Sequence, residues 1–289
     1  MQNIRDQVLA DIQTFDNIPA LDNIIFEVKA KIDDGRADAA TFARIIEHDL
    51  GLSAKILKVV NSVYYAGRYG KFGNLQQAVA RLGIRQAYNI CLVFKTMDLF
   101  SKVSNHINLK EFWGHSIAVA QVTRIIAEAT DRKHFDETNT YSAGLFHDIG
   151  IFVLDRFLPE IYRTIQTRMS ESYDARHDIE KKLFSIDHGE IGGLLLEKWK
   201  FPEDIVNAVR YHHSPNSAPQ GFLPLAQLIH LSDFACASME KSGPVTLFPD
   251  LSIDSIWYAF NINEDKVKMI LQNVKKEMES AYLFLSLEL

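Results

Sequence analysis

Apolar residues recur every three or four positions along almost the whole chain, the spacing that lines one face of an α-helix. The clearest stretch is LKEFWGHSIAVAQVTRIIAEAT, residues 109–130, where Trp113, Ile117, Val122 and Ile125 fall on or near one stripe. IRQAYNICLVFKTMDLFS, residues 84–101, reads as a long buried helix. Polar punctuation marks the ends. Asp22 is placed to cap NIIFEVKAKIDD, with Gly35 to stop it, and Asp38 to open AATFARIIEHD. Ser53 is placed to open AKILKVVNS, and Asn74 precedes LQQAVARL with Gly83 in a C-cap position. Further helices are expected around 139–147, 159–171, 176–185, 188–199 and 203–212, then over 222–240, near 253–260 and over 264–284. Pro202 followed by Glu203 and Asp204 marks a helix start, because proline needs no amide donor in the first turn and acids favour the positive end of the helix dipole. No convincing run of strand length alternates apolar and polar residues, so the pattern predicts an all-α fold.

Composition narrows the class. At 289 residues the chain is long enough for one large domain or two small ones, each with a real core. A net charge of −6 disfavours a broad nucleic-acid footprint. Cys91 and Cys236 lie far apart in apolar settings and read as buried reduced thiols, which fits a cytosolic compartment. No apolar run approaches the roughly 20 residues of a membrane span. The N-terminal MQNIRDQVLADIQ is amphipathic and carries acids, unlike a secretory signal.

FARIIEHDLGLSAKILKVVN has the look of a helix-turn-helix. Its second helix offers only Lys55 and Lys58 as basic residues before Asn61, so a packed helix pair is the expectation and a DNA reader over 42–61 the weaker alternative. In NSVYY, Asn61 and Ser62 end that helix, with Asn61 turning the chain. Tyr64, Tyr65 and Tyr69 either form a partner surface or pack the joint between two helical halves.

The chemistry concentrates elsewhere. AGLFHDIG, residues 143–150, sets His147 and Asp148 inside an apolar run, which costs free energy unless something pairs with them. His115 sits on the long amphipathic helix, His188 in SIDHGEIGG, His212 and His213 at the end of VRYHHSP, and Asp233 in LIHLSDFACA. Imidazole and carboxylate are ligands for zinc, iron or manganese. Asp148 has two oxygens and an adjacent histidine, so it is the natural bridge between two ions. Two ions about 3.5–4 Å apart would hold a hydroxide aimed at a phosphate ester. Singly, each residue has a plainer reading: His115 as a core histidine bonded to a carbonyl, His188 beside Asp187 as a helix cap, His212 and His213 as a solvated helix end, Asp233 as a cap or lysine partner. The joint order is what points to metal.

That order resembles the HD-domain superfamily of metal-dependent phosphohydrolases, in which H…HD…D holds one metal. The extra histidine and the HH doublet resemble the second-metal ligands of its two-metal branch, which includes the cyclic-di-GMP hydrolases. The resemblance implies His115, His147, Asp148 and Asp233 around one ion, and Asp148, His188, His212 and also His213 around another. Glu111, four residues before His115, stands where some relatives add a ligand; a solvated glutamate is its plainer reading. IPALDNIIFEVKAKI, IIEHDLGLSAKILKVVNSVYYAG, LQQAVARLG, FWGHS, AGLFHDIG and DHGEIGGLLLEKWKFPEDIVNAVRYHH together resemble the HDOD family from about residue 15 to 240.

The HDOD resemblance implies an N-terminal helical bundle over 1–105 and an HD-like helical core with C-terminal helices over 106–289. It implies a cytoplasmic bacterial signal-transduction module; many members of that family have lost metal ligands, but the ligand order here is complete, so one or two divalent ions, Fe, Mn or Zn, are expected. Its partners would be signalling proteins, a nucleotide ligand or a second copy of the chain, with no membrane and no nucleic acid. No established reaction is common to that family. Two departures bear on catalysis. Ile151 follows HDIG where active two-metal hydrolases usually carry a lysine, and a hydrophobic side chain does not neutralise a developing phosphoryl charge. GFLP, residues 221–224, stands roughly where those enzymes carry GYP. A regulatory module is the first expectation and a metal-dependent phosphohydrolase the second, with Arg176, Lys181, Lys182 or Arg210 as substitute phosphate cations.

Overall fold

A computed structural model describes residues 5–6, 9–10, 20–62, 72–101, 106–130, 135–171, 175–242 and 260–286. Among the described residues all regular structure is helical. The chain divides into two compact units, one of residues 20–102 with 282–289, the other of residues 1–19 with 103–281.

The first unit contains α1 (Asn23–Asp33), α2 (Ala39–Ile46), α3 (Leu50–Val60), α4 (Leu75–Leu82) and α5 (Ile84–Ser101). Three starts follow the sequence signals: the side chains of Asp22, Asp38 and Asn74 accept the amides of Ile24, Thr41 and Gln77. The third helix does not open at Ser53. Asp49 takes the Leu52 amide at 2.8 Å, so α3 begins at Leu50, and the Ser53 hydroxyl donates back to the Ile46 carbonyl. Asp49, four residues upstream, meets a free amide and sets the boundary, while the Ser53 hydroxyl is spent on a carbonyl. Helix α5 is buried along most of its length, and α1, α3 and α4 pack against it. Asn61 caps α3, and its amide pairs with both the N–H and the carbonyl of Phe72. Tyr64, Tyr65 and Tyr69 lie outside the described residues. Lys55, a cation of the candidate DNA-reading helix, is paired with Asp98 at 2.7 Å and lies over the Phe94 ring.

The second unit contains α6 (Leu109–Ala129), α7 (Glu137–Phe146), α8 (Gly150–Phe157), α9 (Pro159–Glu171), α10 (Arg176–Phe184), α11 (His188–Lys198), α12 (Glu203–Tyr211), a 3₁₀ turn (Pro215–Ser217) and α13 (Leu223–Ser242). A last helix, α14 (Glu264–Leu285), closes the chain. Residues 253–259 of the helix expected near 253–260 lie outside the described residues. Helix α8 has no counterpart in the periodicity: Gly150 to Asp155 are all buried, Arg156 is exposed, and eight residues are too few for a stripe to repeat. Helix α6 packs on α7 and α13, α12 on α7, α11 and α13, and α8 on α11. Trp113, Phe146 and Phe152 are among the largest fully buried side chains. The close approach of α7 to α6 needs a glycine, since a Cβ on Gly144 would stand 2.7 Å from the Ala120 Cα. Cys91 and Cys236 are buried thiols that form no disulfide. No described helix is long and apolar enough to cross a membrane.

Candidate metal centre

Six helix ends and faces of the second unit converge on Asp148. His115 projects from α6. His147 is the C-cap of α7, and Asp148 follows in the turn before α8. His188 is the first residue of α11, behind the Asp187 N-cap, whose side chain takes the Glu190 amide. His212 is the C-cap of α12, with His213 next, and Asp233 lies on α13. Seven residues spread over more than a hundred positions thus meet in one place.

They form two groups that share Asp148. In the first, His115 Nε2 lies 3.3 Å from His147 Nε2, and Asp148 Oδ2 lies 3.4 Å from His147 Nε2 and 4.0 Å from His115 Nε2. Asp233 Oδ1 reaches the same two histidines, at 3.2 Å from His115 and 3.7 Å from His147. In the second group, Asp148 Oδ1 lies 2.9 Å from His188 Nε2 and 3.9 Å from His212 Nε2, and His213 Nε2 lies 2.8 Å from His188 Nε2. One ligand atom from each of His115, His147 and Asp148, and one from each of Asp148, His188, His212 and His213, lie within 4.8 Å of one another in their respective groups.

The donor set fits a cation. His147 Nδ1 donates to the Gly144 carbonyl at 2.8 Å, His212 Nδ1 to the Val209 carbonyl at 2.7 Å, and His188 Nδ1 to Glu180 Oε2 at 2.7 Å. With Nδ1 spent in each ring, Nε2 is the atom left to face Asp148, the arrangement in which an outer hydrogen bond fixes the orientation of a metal-binding imidazole. His212 Nε2 is buried without a hydrogen-bond partner among the described residues. A bare buried lone pair is costly unless a donor or a cation meets it.

Charge follows the same geometry. Burial alone would favour neutral forms. It is outweighed at His147 by Asp148 and Asp233, which push the imidazole up to about 9, and at His188 by Glu180 and Asp148, which push it up to about 10. Asp148 and Asp233 stay well below the usual carboxylate range despite burial, because histidines surround them. Burial, reinforced by His147 and His188, drops His212 to about 4 and leaves it neutral.

Other residues singled out in the sequence are not among those whose ligand atoms gather at Asp148. Glu111 is exposed in the first turn of α6, where Asn108 caps its amide. Ile151 is buried within α8. Arg210 pairs with Glu197 at 2.9 Å and Lys181 with Asp187 at 3.0 Å. Arg176 reaches toward Glu180 instead, at 3.7 Å. Lys182 lies on α10 beside Lys181, and GFLP spans the turn into α13.

Three residues that the spacing did not single out complete the surroundings. Glu180, on α10, is buried behind His188. The His177 ring stacks on His213 with centroids 4.0 Å apart. His230 Nδ1 meets the His212 carbonyl at 2.8 Å. Glu180 and His177 had no usable signal, since they fall in a charged helix that reads as solvated.

The sequence profile of the HDOD domain matches residues 18–215. An uncharacterised protein of Treponema pallidum is 23% identical over 266 residues, which is 92% of this chain and 50% of that protein. The chain therefore spans about half the length of the curated relative it matches. Among solved structures, an HDOD domain protein of unknown function from Geobacter sulfurreducens superposes with a TM-score of 0.83, covering 98% of this chain and 99% of that one at 22% identity. A provisionally assigned phosphohydrolase from Shewanella amazonensis gives a TM-score of 0.72 over 94% and 98% of the two chains at 24% identity. A provisionally assigned signal transduction protein from Marinobacter aquaeolei gives 0.79 over 98% and 65% at 20% identity. At these identities the structural likenesses establish the fold.

Proposed function

We propose that this chain, which belongs to the HDOD family, is a cytoplasmic bacterial signalling module whose HD-like unit is ordered by one or two divalent ions, iron, manganese or zinc. The observation that carries this reading is Asp148, whose two carboxylate oxygens face two separate sets of imidazoles. A cation there would meet the bare Nε2 of His212 and offset the cost of burying two carboxylates among histidines. His115, His147, Asp148 and Asp233 would hold one ion, and Asp148, His188, His212 and His213 the other. Recognition would fall to partner proteins, a nucleotide ligand or a second copy of the chain.

What favours regulation over turnover is the position after HDIG. Ile151 is buried there, and Arg210 and Lys181 are engaged with Glu197 and Asp187. A transferred phosphoryl group would meet a hydrophobic side chain at that point rather than a lysine. The bridging geometry of Asp148 supports a second reading, a metal-dependent phosphohydrolase acting on a phosphate ester or cyclic nucleotide. Bound ions would supply a hydroxide nucleophile; the chain's own part would be to fix that centre through Asp148 and to supply a proton from a nearby histidine.

The test is elemental analysis of protein purified without chelator, wild type beside Asp148→Ala, followed by a screen of phosphodiesters. Near-stoichiometric metal that vanishes in the variant, without turnover, is the expected result. Metal-dependent turnover lost in the variant would move the conclusion to the hydrolase. No metal in either, with equal melting temperatures, would overturn the metal centre.

A further inference from the structure

The histidines at the centre are not supported alike. His147 and His212 rest their Nδ1 atoms on backbone carbonyls, Gly144 and Val209, in the same helices that carry them. His188 rests on a carboxylate from another helix. Glu180 Oε2 lies 2.7 Å from His188 Nδ1 and 2.8 Å from the His188 backbone amide, and Glu180 is 1% exposed. Arg176 Nη1 stands 3.7 Å from the other carboxylate oxygen and offsets part of the buried charge.

We propose that Glu180 is a positioning residue that sets the metal affinity of the half of the centre formed by Asp148, His188, His212 and His213. This rests on the metal reading above and goes beyond it by separating the two halves. Two bonds from one oxygen to a single residue fix both where His188 sits and which way its ring turns. The proton held on Nδ1 leaves Nε2 as the ligand atom, 2.9 Å from Asp148 Oδ1. A charged acceptor strengthens that hydrogen bond relative to a carbonyl. It also makes the imidazole a better donor to a metal. A plainer role exists for the same carboxylate, since it also satisfies an amide at the start of α11 and meets the positive end of that helix. A purely structural Glu180 would serve as an acceptor whatever its charge, so Glu180→Gln, which keeps an acceptor oxygen, would then leave Zn²⁺ affinity unchanged.

The experiment is Zn²⁺ binding to the full chain in competition with a chromophoric chelator, for wild type, His188→Ala, His115→Ala and Glu180→Gln. The substitution of Glu180 keeps the size of the side chain and removes its charge. Outer partners of metal-binding histidines commonly contribute about 10–100-fold in affinity. Glu180→Gln should weaken by that factor the binding lost in His188→Ala and leave unchanged the binding lost in His115→Ala. Should Glu180→Gln fail to fold by circular dichroism, Glu180→Asp keeps the charge, shortens the reach, and should show the same selective loss. Wild-type affinity in a folded Glu180 variant, or equal weakening of both halves, overturns this inference alone. A wild type that binds no Zn²⁺ overturns it together with the metal centre.

Discussion

A Cβ on Gly150 would stand 2.0 Å from the carbonyl oxygen of His188. It would also meet the Gly192 nitrogen at 2.7 Å, so the obstruction is backbone on both counts and has no rotamer by which to yield. The glycine that ends HDIG lets α8 and α11 touch main chain to main chain. That contact holds His188 against Asp148. Gly150→Ala should therefore cost about 1–3 kcal/mol or more in urea unfolding, the usual scale of overpacking. Any folded fraction should take up less metal, because α11 has moved away from Asp148. A wild-type urea midpoint together with wild-type metal content would sink this account.

The first unit has its own tie. Lys95, on α5, is bonded to Asp22 at the start of α1 and to Asp49 at the start of α3. Burial opposes the charge on all three. At Asp22 the Lys95 ammonium and the Ile24 amide outweigh it, at Asp49 the Leu52 amide and Lys95 do, and both carboxyls fall below their ordinary value. Lys95→Met should lower the unfolding free energy at pH 7 by about 1.5–3 kcal/mol, the range for charged hydrogen bonds. Metal content should not change, since every candidate ligand belongs to the other unit. Depressed carboxyl values stabilise above the unfolded value near 4 and cease to do so as acid protonates them. The gap between wild type and variant should therefore narrow toward about pH 3, and a gap that widens on acidification would contradict the pairing.

The helical class was legible because α1, α2 and α4 each keep apolar residues at helical spacing and a polar cap, two signals that agree. Helix α8 was not legible, because its first six residues are all buried and only Arg156 and Phe157 emerge, too little for a periodicity to show. The start of α3 was misplaced because Asp49 and Ser53 are both good caps, and spacing alone does not say which one finds a free amide. The order of histidines and aspartates was legible as a pattern, since ionisable residues in apolar runs need partners. Glu180 was not, because a buried glutamate and a solvated one look alike in a helix as charged as RHDIEKKLF.

Ser185 ends α10 with φ at 57°, in the left-handed region where a side chain is disfavoured. It lies between Glu180 and His188, where the chain must turn from one helix to the next. Glycine accepts that conformation at little cost, whereas other L-residues lose about 1–2 kcal/mol there. Glycine also loses more freedom on folding, so the net gain for Ser185→Gly should be about 0.5–1 kcal/mol. The backbone carbonyl that accepts from Arg5 at 2.9 Å is retained. A raised denaturant midpoint with unchanged metal uptake is the expected result, and a lowered midpoint would show that the serine hydroxyl matters more than the backbone.

Metal and protons should compete for the same nitrogens. Without metal, Asp148 and Asp233 hold the His147 imidazole up to about 9 against burial, and Glu180 and Asp148 hold His188 up to about 10. Both rings are then protonated at pH 7, with each Nε2 proton directed at Asp148. A raised folded value stabilises the metal-free protein fully below the unfolded histidine value, near 6.5, and that stabilisation is lost as pH rises through the folded values. The metal-bound form has the opposite sign, because a ligand nitrogen must first give up its proton. Filling both halves with Zn²⁺ in weak buffer at pH 7 should release about two protons per chain, and affinity should climb with pH before levelling off. Melting temperatures should diverge between pH 7 and 10, falling for the metal-free protein and holding for the loaded one. Proton-neutral uptake of Zn²⁺ at pH 7 would mean that the metal binds elsewhere, away from the rings around Asp148.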